Sequence, residues 1–325
     1  MTQISSADKF FKLQEKIPHI PFTQSRGWYD YVVCNGSVVV FYVDSEQEPK
    51  IMCWGVEYKI PFSSKKILRI EGESYQDDLT EKVFKKFYAS LTKTKYIGVE
   101  INSNNTYNIE FEVGIRRSGF KRPIGFFSSP LTIEVDFKLN FKFDNNWKRN
   151  VKKAVKNELQ FKELKDASVL EITQISDMFK ELSDLKGLGF LLKIEALQLL
   201  IASKSIRTFM VYDNEKQPIA ARIIHENKQY ATDIFAANSM QARNYGATYF
   251  MMEQIFEKLK NEGCKRFDFG RIPPSNHATD SVYVFKNTSR GKKIQYNGEW
   301  AYYKNNLIEG LMYFYKRYVI KKQQY

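Results

Sequence analysis

The stretch RFDFGRIPPSNHATDSVYVFKNTSRG, residues 266–291, joins two apolar runs through a polar loop. Residues 266–269 are rich in aromatic side chains and stop at a glycine, which predicts a short buried strand. Residues 273–276 (PPSN) are typical of a loop. Residues 282–285 predict a second strand, with Lys286 at its end, where a side chain can leave the sheet and face a cleft. A lysine there is most often solvated, so position alone assigns it no function.

Length and composition indicate a folded protein. The chain has 325 residues, of which 43% are hydrophobic and 15% aromatic, enough for well-packed cores. It is long enough for one large domain or for two of about 150 residues each. The net charge of +13 favours a polyanionic partner such as RNA, a nucleotide-linked substrate or an anionic membrane surface in peripheral contact. Many basic proteins bind none of these, so charge alone leaves the partner open.

Several classes of protein and site are disfavoured. The longest uninterrupted apolar run, residues 38–43, is far shorter than the roughly 20 residues that span a bilayer. The first residues lack a basic start followed by an apolar core, so we expect no signal peptide. The three cysteines suggest neither a zinc site nor a disulfide framework, which fits a reducing cytosol: Cys34, Cys53 and Cys264. The three histidines show no ligand spacing, so we expect no metal site: His19, His225 and His277.

The first half alternates between helix and strand patterns. We predict helices at residues 7–17, 23–33 and 78–91, and strands at residues 36–43, 65–70, 96–101 and 131–137. Residues 108–117 are ambiguous. Ile109, Phe111, Val113 and Ile115 alternate as in a strand, yet Gly119 stands where a helix C-cap would be.

A basic helix is predicted after Asp144, an expected N-cap. One face of this helix is apolar, with Trp147, Val151, Val155 and Leu159 at four-residue spacing. The other faces carry five cations: Lys148, Arg149, Lys152, Lys153 and Lys156. These cations indicate either a phosphate-binding surface or an ordinary solvated face, with neither favoured. We place the domain boundary here, between residues 1–145 and 146–325.

The second half predicts an α/β domain with a mixed sheet. Helices are expected at residues 172–185, 193–203, 244–261 and 306–318. Strands are expected at residues 207–212, 218–225, 229–235, 266–269, 282–285 and 293–296.

Stretches distributed along most of the chain resemble the FemABX family of aminoacyl transferases. In the second half these are GCKRFDFG (263–270), DSVYVFK (280–286) and YNGEW (296–300). Three earlier stretches agree in the same order: PFTQSRGWYDYV (21–32), SPLTIEVDF (129–137) and WKRNVKKAVKNEL (147–159). The resemblance implies an α/β (α+β) fold of two GNAT-like domains with mixed, mainly antiparallel sheets. It also implies that residues 108–117 form a helix.

The resemblance places Phe285 and Lys286 in the active centre of an acyltransferase. It implies attack of an amine, perhaps of a peptidoglycan precursor, on the ester carbonyl of an aminoacyl-tRNA in the cytoplasm, without a cofactor. A compact ammonium such as that of Lys286 suits the developing oxyanion. We expect Lys286 to point into the second-domain cleft, and Phe285 to point away from it or to line it. The other substrate-binding candidates are Arg271, Tyr283, Phe235, Trp28, Lys148, Arg149 and Lys152.

The sequence also departs from the family pattern. The positions that hold a nucleotide-linked peptide acceptor in some members align near Asp30 or Tyr31, Leu192, Ala196 and Phe235, and none of these matches. The heptad-patterned helical arm of other members is missing from the second half. The acceptor is therefore open, and any tRNA contact must use the globular surface. The oligomeric state is also open.

Two other functions stay open. GNAT enzymes that use acyl-CoA cradle its pyrophosphate at a helix N-terminus with the pattern Q/R-x-x-G-x-G/A. Arg243 and Gly246 fit this pattern, but Thr248 replaces the last Gly or Ala, and its side chain would crowd a backbone that must approach phosphate closely. An ordinary helix start is therefore the favoured explanation of this segment. A non-catalytic, basic RNA-binding module is the third interpretation, and it leaves the Phe285–Lys286 pair unexplained.

Overall fold

The structure, a computed structural model, describes residues 1–60, 63–123, 130–139, 143–186, 191–272 and 281–315, together with Tyr318. The PPSN loop predicted at residues 273–276 lies outside these residues. No described helix combines the length and the apolar character that crossing a bilayer requires.

The first half of the chain alternates between strands and helices. Its strands are β1 (Thr2–Ile4), β2 (Val39–Val43), β3 (Ile51–Lys59), β4 (Lys66–Ile70), β5 (Ser74–Tyr75), β6 (Gly98–Thr106) and β7 (Leu131–Asp136). Its helices are α1 (Ala7–Gln14), α2 (Arg26–Cys34), α3 (Glu81–Thr92) and α4 (Ile109–Arg116), with a 3-10 turn at Phe22–Gln24 before α2.

The second half repeats this alternation. Its strands are β8 (Gln160–Leu164), β9 (Ile206–Tyr212), β10 (Pro218–Asn227), β11 (Tyr230–Asn238), β12 (Arg266–Asp268) and β13 (Lys292–Tyr303). Its helices are α5 (Asn145–Lys156), α6 (Val169–Lys186), α7 (Ile194–Ile201), α8 (Met240–Tyr245), α9 (Ala247–Asn261), α10 (Ser281–Asn287) and α11 (Asn306–Phe314).

The two halves share one topology. In each half three antiparallel strands (β2–β3–β4 and β9–β10–β11) are followed by a helix (α3 and α9). The chain then returns in a strand parallel to the third one, as β6 beside β4 and β12 beside β11, and continues into a short helix, α4 or α10. The predicted α/β fold with mixed, mainly antiparallel sheets is confirmed.

The two halves also exchange their last strands. β7 pairs with β12 of the second half, whereas β13 pairs with β7 through residues 292–295 and with β6 through residues 296–303. The register of β13 shifts between Tyr296 and Gly298, and Gly298 has a φ of +71°, a conformation that favours glycine. β13 therefore crosses from one sheet into the other. The boundary predicted near residue 145 separates β7 from the strands with which it pairs.

The short helix α4 resolves the ambiguity of its alternating sequence. The side chain of Asn108 accepts hydrogen bonds from the backbone N–H groups of Glu110 at 2.8 Å and Phe111 at 3.1 Å. This N-cap satisfies donors that a helix start would otherwise leave unpaired. On the helix, Phe111 and Ile115 share the buried side because they are four residues apart.

Two sequence predictions about helices and strands are wrong. Residues 282–285, predicted as a strand, lie in α10 (Ser281–Asn287), because tertiary packing overrides the strand propensity of a short Val- and aromatic-rich run. In α5, Val155 is 62% exposed, while Ala154 is fully buried beside Trp147. A helix has 3.6 residues per turn, so a strict four-residue spacing drifts off the buried face within two turns.

Candidate active site

The candidate site is a cavity of about 890 Å³ between the two halves of the chain. The first half contributes residues 18–22 and the β6 residues Asn104, Asn105 and Thr106. The second half contributes residues of β10 and β12, residues along the length of β11, the start of α9 and one side of α10. Because several strands and helices of both halves border it, the cavity brings together side chains that are distant in sequence.

Lys286 faces this cavity from α10, and not from the end of a strand. Its Nζ donates hydrogen bonds to the carbonyl oxygens of Phe269, at 2.6 Å, and Arg271, at 3.4 Å. Burial lowers the pKa of Lys286 from 10.5 to about 8, and the nearby carboxylates of Asp233 and Asp268 oppose this shift. At neutral pH Lys286 is therefore mainly an ammonium, with a proton that is easier to release than that of a surface lysine.

Phe285 fixes the position of α10. Its ring stacks on Trp147, with centroids 5.5 Å apart, and meets Tyr249 edge-on at 5.0 Å. Phe285 also lines the cavity beside Lys286. Consecutive residues of a helix are about 100° apart around its axis. Phe285 can therefore anchor the helix while the next residue, Lys286, points into the cavity.

Arg222 of β10 and Asp233 of β11 form a buried ion pair in the cavity wall. Arg222 Nη1 lies 3.4 Å from Asp233 Oδ2, and the two side chains are 4% and 8% exposed. Among the described residues, the other carboxylate oxygen, Oδ1, has no hydrogen-bond partner. Burial raises the pKa of Asp233, while Arg222 and Lys286 act in the opposite direction. Asp233 thus presents a buried acceptor with increased basicity.

Asp268, the acidic residue of the RFDFG strand, lies beside the same lysine. Tyr296 donates from its hydroxyl to Asp268 Oδ2 at 2.6 Å, and the backbone N–H of Gly270 donates to Oδ1 at 2.7 Å. Thr132 of β7 contacts Oδ1 as well. Burial raises the pKa of Asp268 in spite of these hydrogen bonds. The network ties β7, β12 and β13 together at the cavity floor.

Arg271 joins the second half to the first. Its Nε donates to Asn104 Oδ1 at 2.6 Å, and one terminal nitrogen donates to Asn102 Oδ1 at 2.6 Å. Both acceptors belong to β6, and the guanidinium also lies 5.4 Å from the ring centroid of Tyr296. Arg271, a candidate for binding substrate, lines the cavity and also holds its walls together.

The remaining aromatic candidates lie outside this cavity. Trp28 and Phe235 pack against each other with centroids 5.9 Å apart, and Tyr31 stacks on Trp28 at 5.0 Å. They form part of the contact between the two halves, where Trp28 and Tyr31 also line a second cavity of about 400 Å³. Tyr283 packs against the hydrophobic core of the second half, and Lys293 Nζ lies 5.7 Å from its ring centroid.

The basic candidates Lys148, Arg149 and Lys152 lie exposed on α5. None of them lines the cavity among the residues that the structure describes. Their helix nevertheless begins beside it, because Asn146 Nδ2 donates to the hydroxyl of Tyr249, a cavity residue, at 3.2 Å. The cations therefore form a separate surface next to the cavity.

Arg243 and Gly246, the candidates for binding acyl-CoA, border the cavity, Arg243 from the last turn of α8 and Gly246 directly before α9. Gly246 has a φ of +71°, and a Cβ built on it would lie 2.4 Å from the carbonyl oxygen of Asn150 in α5. Thr248 uses its hydroxyl to donate to Asn238 Oδ1 at 2.9 Å. The glycine is thus required by helix packing, whether or not a phosphate binds there.

Sequence reasoning did not single out Arg222, Asp233, Asp268 or Tyr296. A signal for the first two was present, since each places one charge inside an otherwise largely apolar strand. The strands β10 and β11 are antiparallel neighbours, and these two opposite charges lie close together within the pair. The arrangement can stabilise a negative charge with Lys286 and accept a proton with Asp233.

Comparison with known proteins agrees with this architecture. Residues 200–317 match the FemAB family model. The crystal structure of FemX has a TM-score of 0.75 at 12% identity, covering 96% of this chain and 100% of that one. L-PGS from Bacillus licheniformis has a TM-score of 0.65 at 16% identity, covering 95% and 96%. A tandem GNAT protein from the clavulanic acid biosynthesis pathway has a TM-score of 0.52 at 6% identity, covering 93% and 96%. No curated protein sequence matches this chain.

At these identities the structural matches establish the fold, two GNAT-like units in tandem. The FemAB match spans four charged residues that line the cavity, Arg222, Asp233, Asp268 and Lys286. It confirms the FemABX resemblance drawn from the sequence and indicates an acyl or aminoacyl transferase.

Proposed function

We propose that this protein transfers an aminoacyl group from aminoacyl-tRNA to a primary amine of a cell-wall precursor, in the cytoplasm. The observation that carries the proposal is the Lys286 ammonium in the cavity between the halves, electrostatically coupled to the partly unpaired carboxylate of Asp233. The FemAB match over the same residues supports it.

Lys286 would act on the ester carbonyl of the donor. Attack by a neutral amine forms a C–N bond and moves an electron pair onto the carbonyl oxygen. An ammonium beside that oxygen stabilises the transition state more than the neutral ester. Two backbone carbonyls hold Nζ in place, and among the described residues they are its hydrogen-bond acceptors, which leaves one N–H of the ammonium for the substrate.

Asp233 would handle the proton of the attacking amine. After attack, the nitrogen is positively charged and must lose a proton before the intermediate can collapse to an amide. Oδ1 of Asp233 accepts that proton, because it is buried, lacks a protein donor among the described residues and has a raised pKa. The C–O bond to the ribose then breaks, and the proton returns to the leaving oxygen, so the step is balanced without a cofactor.

The basic face of α5 would bind the tRNA backbone. Lys148, Arg149 and Lys152 are exposed on the helix that begins at the cavity wall, so phosphates bound there can deliver the 3′ end to Lys286. The acceptor enters between the halves, where Arg271 and β6 supply polar contacts.

Acyl-CoA is the alternative donor, because Arg243 and Gly246 border the same cavity at a helix N-terminus. A single assay distinguishes the donors. The protein is incubated with a pool of radiolabelled aminoacyl-tRNAs or with acyl-CoAs, each with lysine-containing cell-wall peptides. We expect an acid-stable amide product from aminoacyl-tRNA. Turnover with acyl-CoA only would establish the alternative, and binding of tRNA without turnover of either donor would leave a basic RNA-binding protein.

A further inference from the structure

The last described helix, α11, presents an apolar stripe to solvent. Leu307, Leu311 and Phe314 follow each other at helical spacing on one face and are 74%, 59% and 57% exposed. Tyr318 continues the stripe one turn later, is 57% exposed and lies 4.9 Å from Phe314 between ring centroids. Soluble proteins normally turn such side chains inward, so a continuous exposed stripe marks an interaction surface.

The helix is attached to the protein by its other side. Met312 is buried, and Glu309 pairs with Lys121 at 3.0 Å between Oε2 and Nζ. Asn305 caps the helix by accepting from the N–H of Ile308 at 2.9 Å. α11 is thus fixed with its polar contacts toward the body and its apolar stripe outward. None of the four stripe residues lines either described cavity, so the catalytic proposal does not account for them.

The charges around the stripe are positive. Lys304 immediately precedes the helix and Lys121 lies beside it, and both are exposed. Glu309 is the acidic residue of α11, and Lys121 neutralises it. The sequence continues with further cations, Lys316, Arg317, Lys321 and Lys322, in a chain of net charge +13. A helix with leucine and phenylalanine on one face, a lysine directly before it and a cation-rich sequence after it has the chemistry that binds an anionic lipid surface.

We propose that Leu307, Leu311, Phe314 and Tyr318 insert into the headgroup region of an anionic bilayer, with α11 lying parallel to its plane. The apolar side chains contribute burial, and the flanking cations select anionic lipids. This surface is distinct from the cavity, and the proposal does not rest on aminoacyl transfer.

Vesicle flotation tests the proposal on the full chain. Phosphatidylcholine vesicles with and without phosphatidylglycerol are compared at low and high salt. We expect binding to the anionic vesicles only, weakened by salt. Leu311→Gln combined with Phe314→Gln should lower the partition coefficient by about tenfold for each side chain removed from lipid. Because both side chains are exposed, the melting temperature should not change.

Leu170→Gln is the matched control, since Leu170 is a comparably exposed leucine, 67% exposed, on a different helix, α6. This variant should bind vesicles like the wild type. Equal binding of the wild type to neutral and anionic vesicles, or unchanged binding of the double variant, would overturn the proposal. So would sedimentation showing that the stripe mediates a dimer that the double variant loses, without vesicle binding by either protein.

Discussion

Lys286 donates a hydrogen bond of 2.6 Å from Nζ to the carbonyl oxygen of Phe269, 17 residues earlier. Phe269 ends the first apolar run of the stretch 266–291 and Lys286 follows the second, so the contact joins the two runs beside the cavity. Phe269 itself is buried in the core of the second half. The lysine is therefore held by a backbone carbonyl directly after β12, and a fixed position of this kind is the condition for a preorganised charge.

Replacing Lys286 by methionine should abolish most turnover while leaving the fold intact. Methionine keeps the length of the stem and removes the charge, and loss of one oxyanion-stabilising group reduces kcat by about 10²–10³-fold. Arginine should restore little, because its planar fork does not reproduce a point charge. Lys260→Met on the exposed side of α9 is the control and should change neither kcat nor the melting temperature. Near-normal kcat in Lys286→Met would exclude a catalytic role.

The pH dependence of turnover should report the same ammonium. Because burial lowers the pKa of Lys286 to about 8, kcat should fall as pH rises through that value. Lys286→Arg should lack this descending limb, since guanidinium stays protonated there.

The pH dependence of stability gives a second test of the shifted pKa of Lys286. Below pH 8 Lys286 is charged in both the folded and the unfolded state, and burying that charge lowers the free energy of unfolding by its full amount. Above pH 10.5 the lysine is neutral in both states, and this penalty disappears. The free energy of unfolding of the wild type, relative to Lys286→Met, should therefore rise by up to about 3 kcal/mol over that interval. A constant difference would contradict the shifted pKa.

Asp233 should be needed for both folding and rate, and a double variant separates the two. Asp233→Asn alone leaves Arg222 buried without its counterion, which destabilises by about 3–5 kcal/mol. Adding Arg222→Met removes the unpaired charge and should restore the melting temperature. Turnover should stay reduced by about 10²-fold or more, because the proton acceptor is still missing. Recovery of wild-type kcat in the double variant would mean that Asp233 serves only to neutralise Arg222.

Gly246→Ala should destabilise the protein through packing. The new Cβ would lie 2.4 Å from the carbonyl oxygen of Asn150, in a backbone conformation that already disfavours alanine. We expect a loss of about 2 kcal/mol or more in urea denaturation. Gly36→Ala is the control, because Gly36 also has a positive φ but no atom lies within 4 Å of its Cβ position. Its loss should be about 1 kcal/mol. Equal losses at the two positions would show that strain alone, and not the α5 contact, explains Gly246.

Reversing the charges of Lys148, Lys152 and Lys153 should flatten the salt dependence of tRNA binding. Each phosphate contact contributes a slope of about −0.7 to −0.9 in log K against log salt, so three lost contacts remove roughly two units or more. The apolar face of α5 is unchanged, so the melting temperature should be retained. The same reversal at three exposed lysines of α3, Lys82, Lys85 and Lys86, is the control. If both triple variants give the wild-type slope, the cations of α5 are a solvated surface.

The sequence predicted most long elements because their apolar periodicity is strong, as in α3 and in the hairpins β9–β10–β11. It failed at short elements with alternating patterns. α4 and α10 occupy equivalent positions in the two halves and both carry β-branched and aromatic residues. For α4 the family resemblance corrected the pattern, and the Asn108 cap agrees with that correction. For α10 the strand pattern was followed, and the buried contacts of Phe285 decide otherwise.

The residues of the site could be predicted from the sequence only in part. Lys286 was found through the resemblance, since it lies in a recognisable stretch. Arg271 was named as a substrate contact, but its hydrogen bonds to β6 depend on strands far apart in sequence. Asp233 and Arg222 become a pair only when β10 and β11 are aligned. Such contacts follow from register and from the approach of the two halves, which local patterns do not encode.

The crossing of β13 between the sheets sets the order in which this protein can be completed on the ribosome. β6 is synthesised by residue 106, but its neighbour in β13 begins at Tyr296. At about 5–20 residues per second, the open edge of β6 waits roughly ten seconds or longer for its partner. During that time it displays unpaired N–H and C=O groups to other nascent chains. Chains that stop before β13 keep this edge exposed permanently, so truncated products should depend on chaperones to a degree that the finished protein does not.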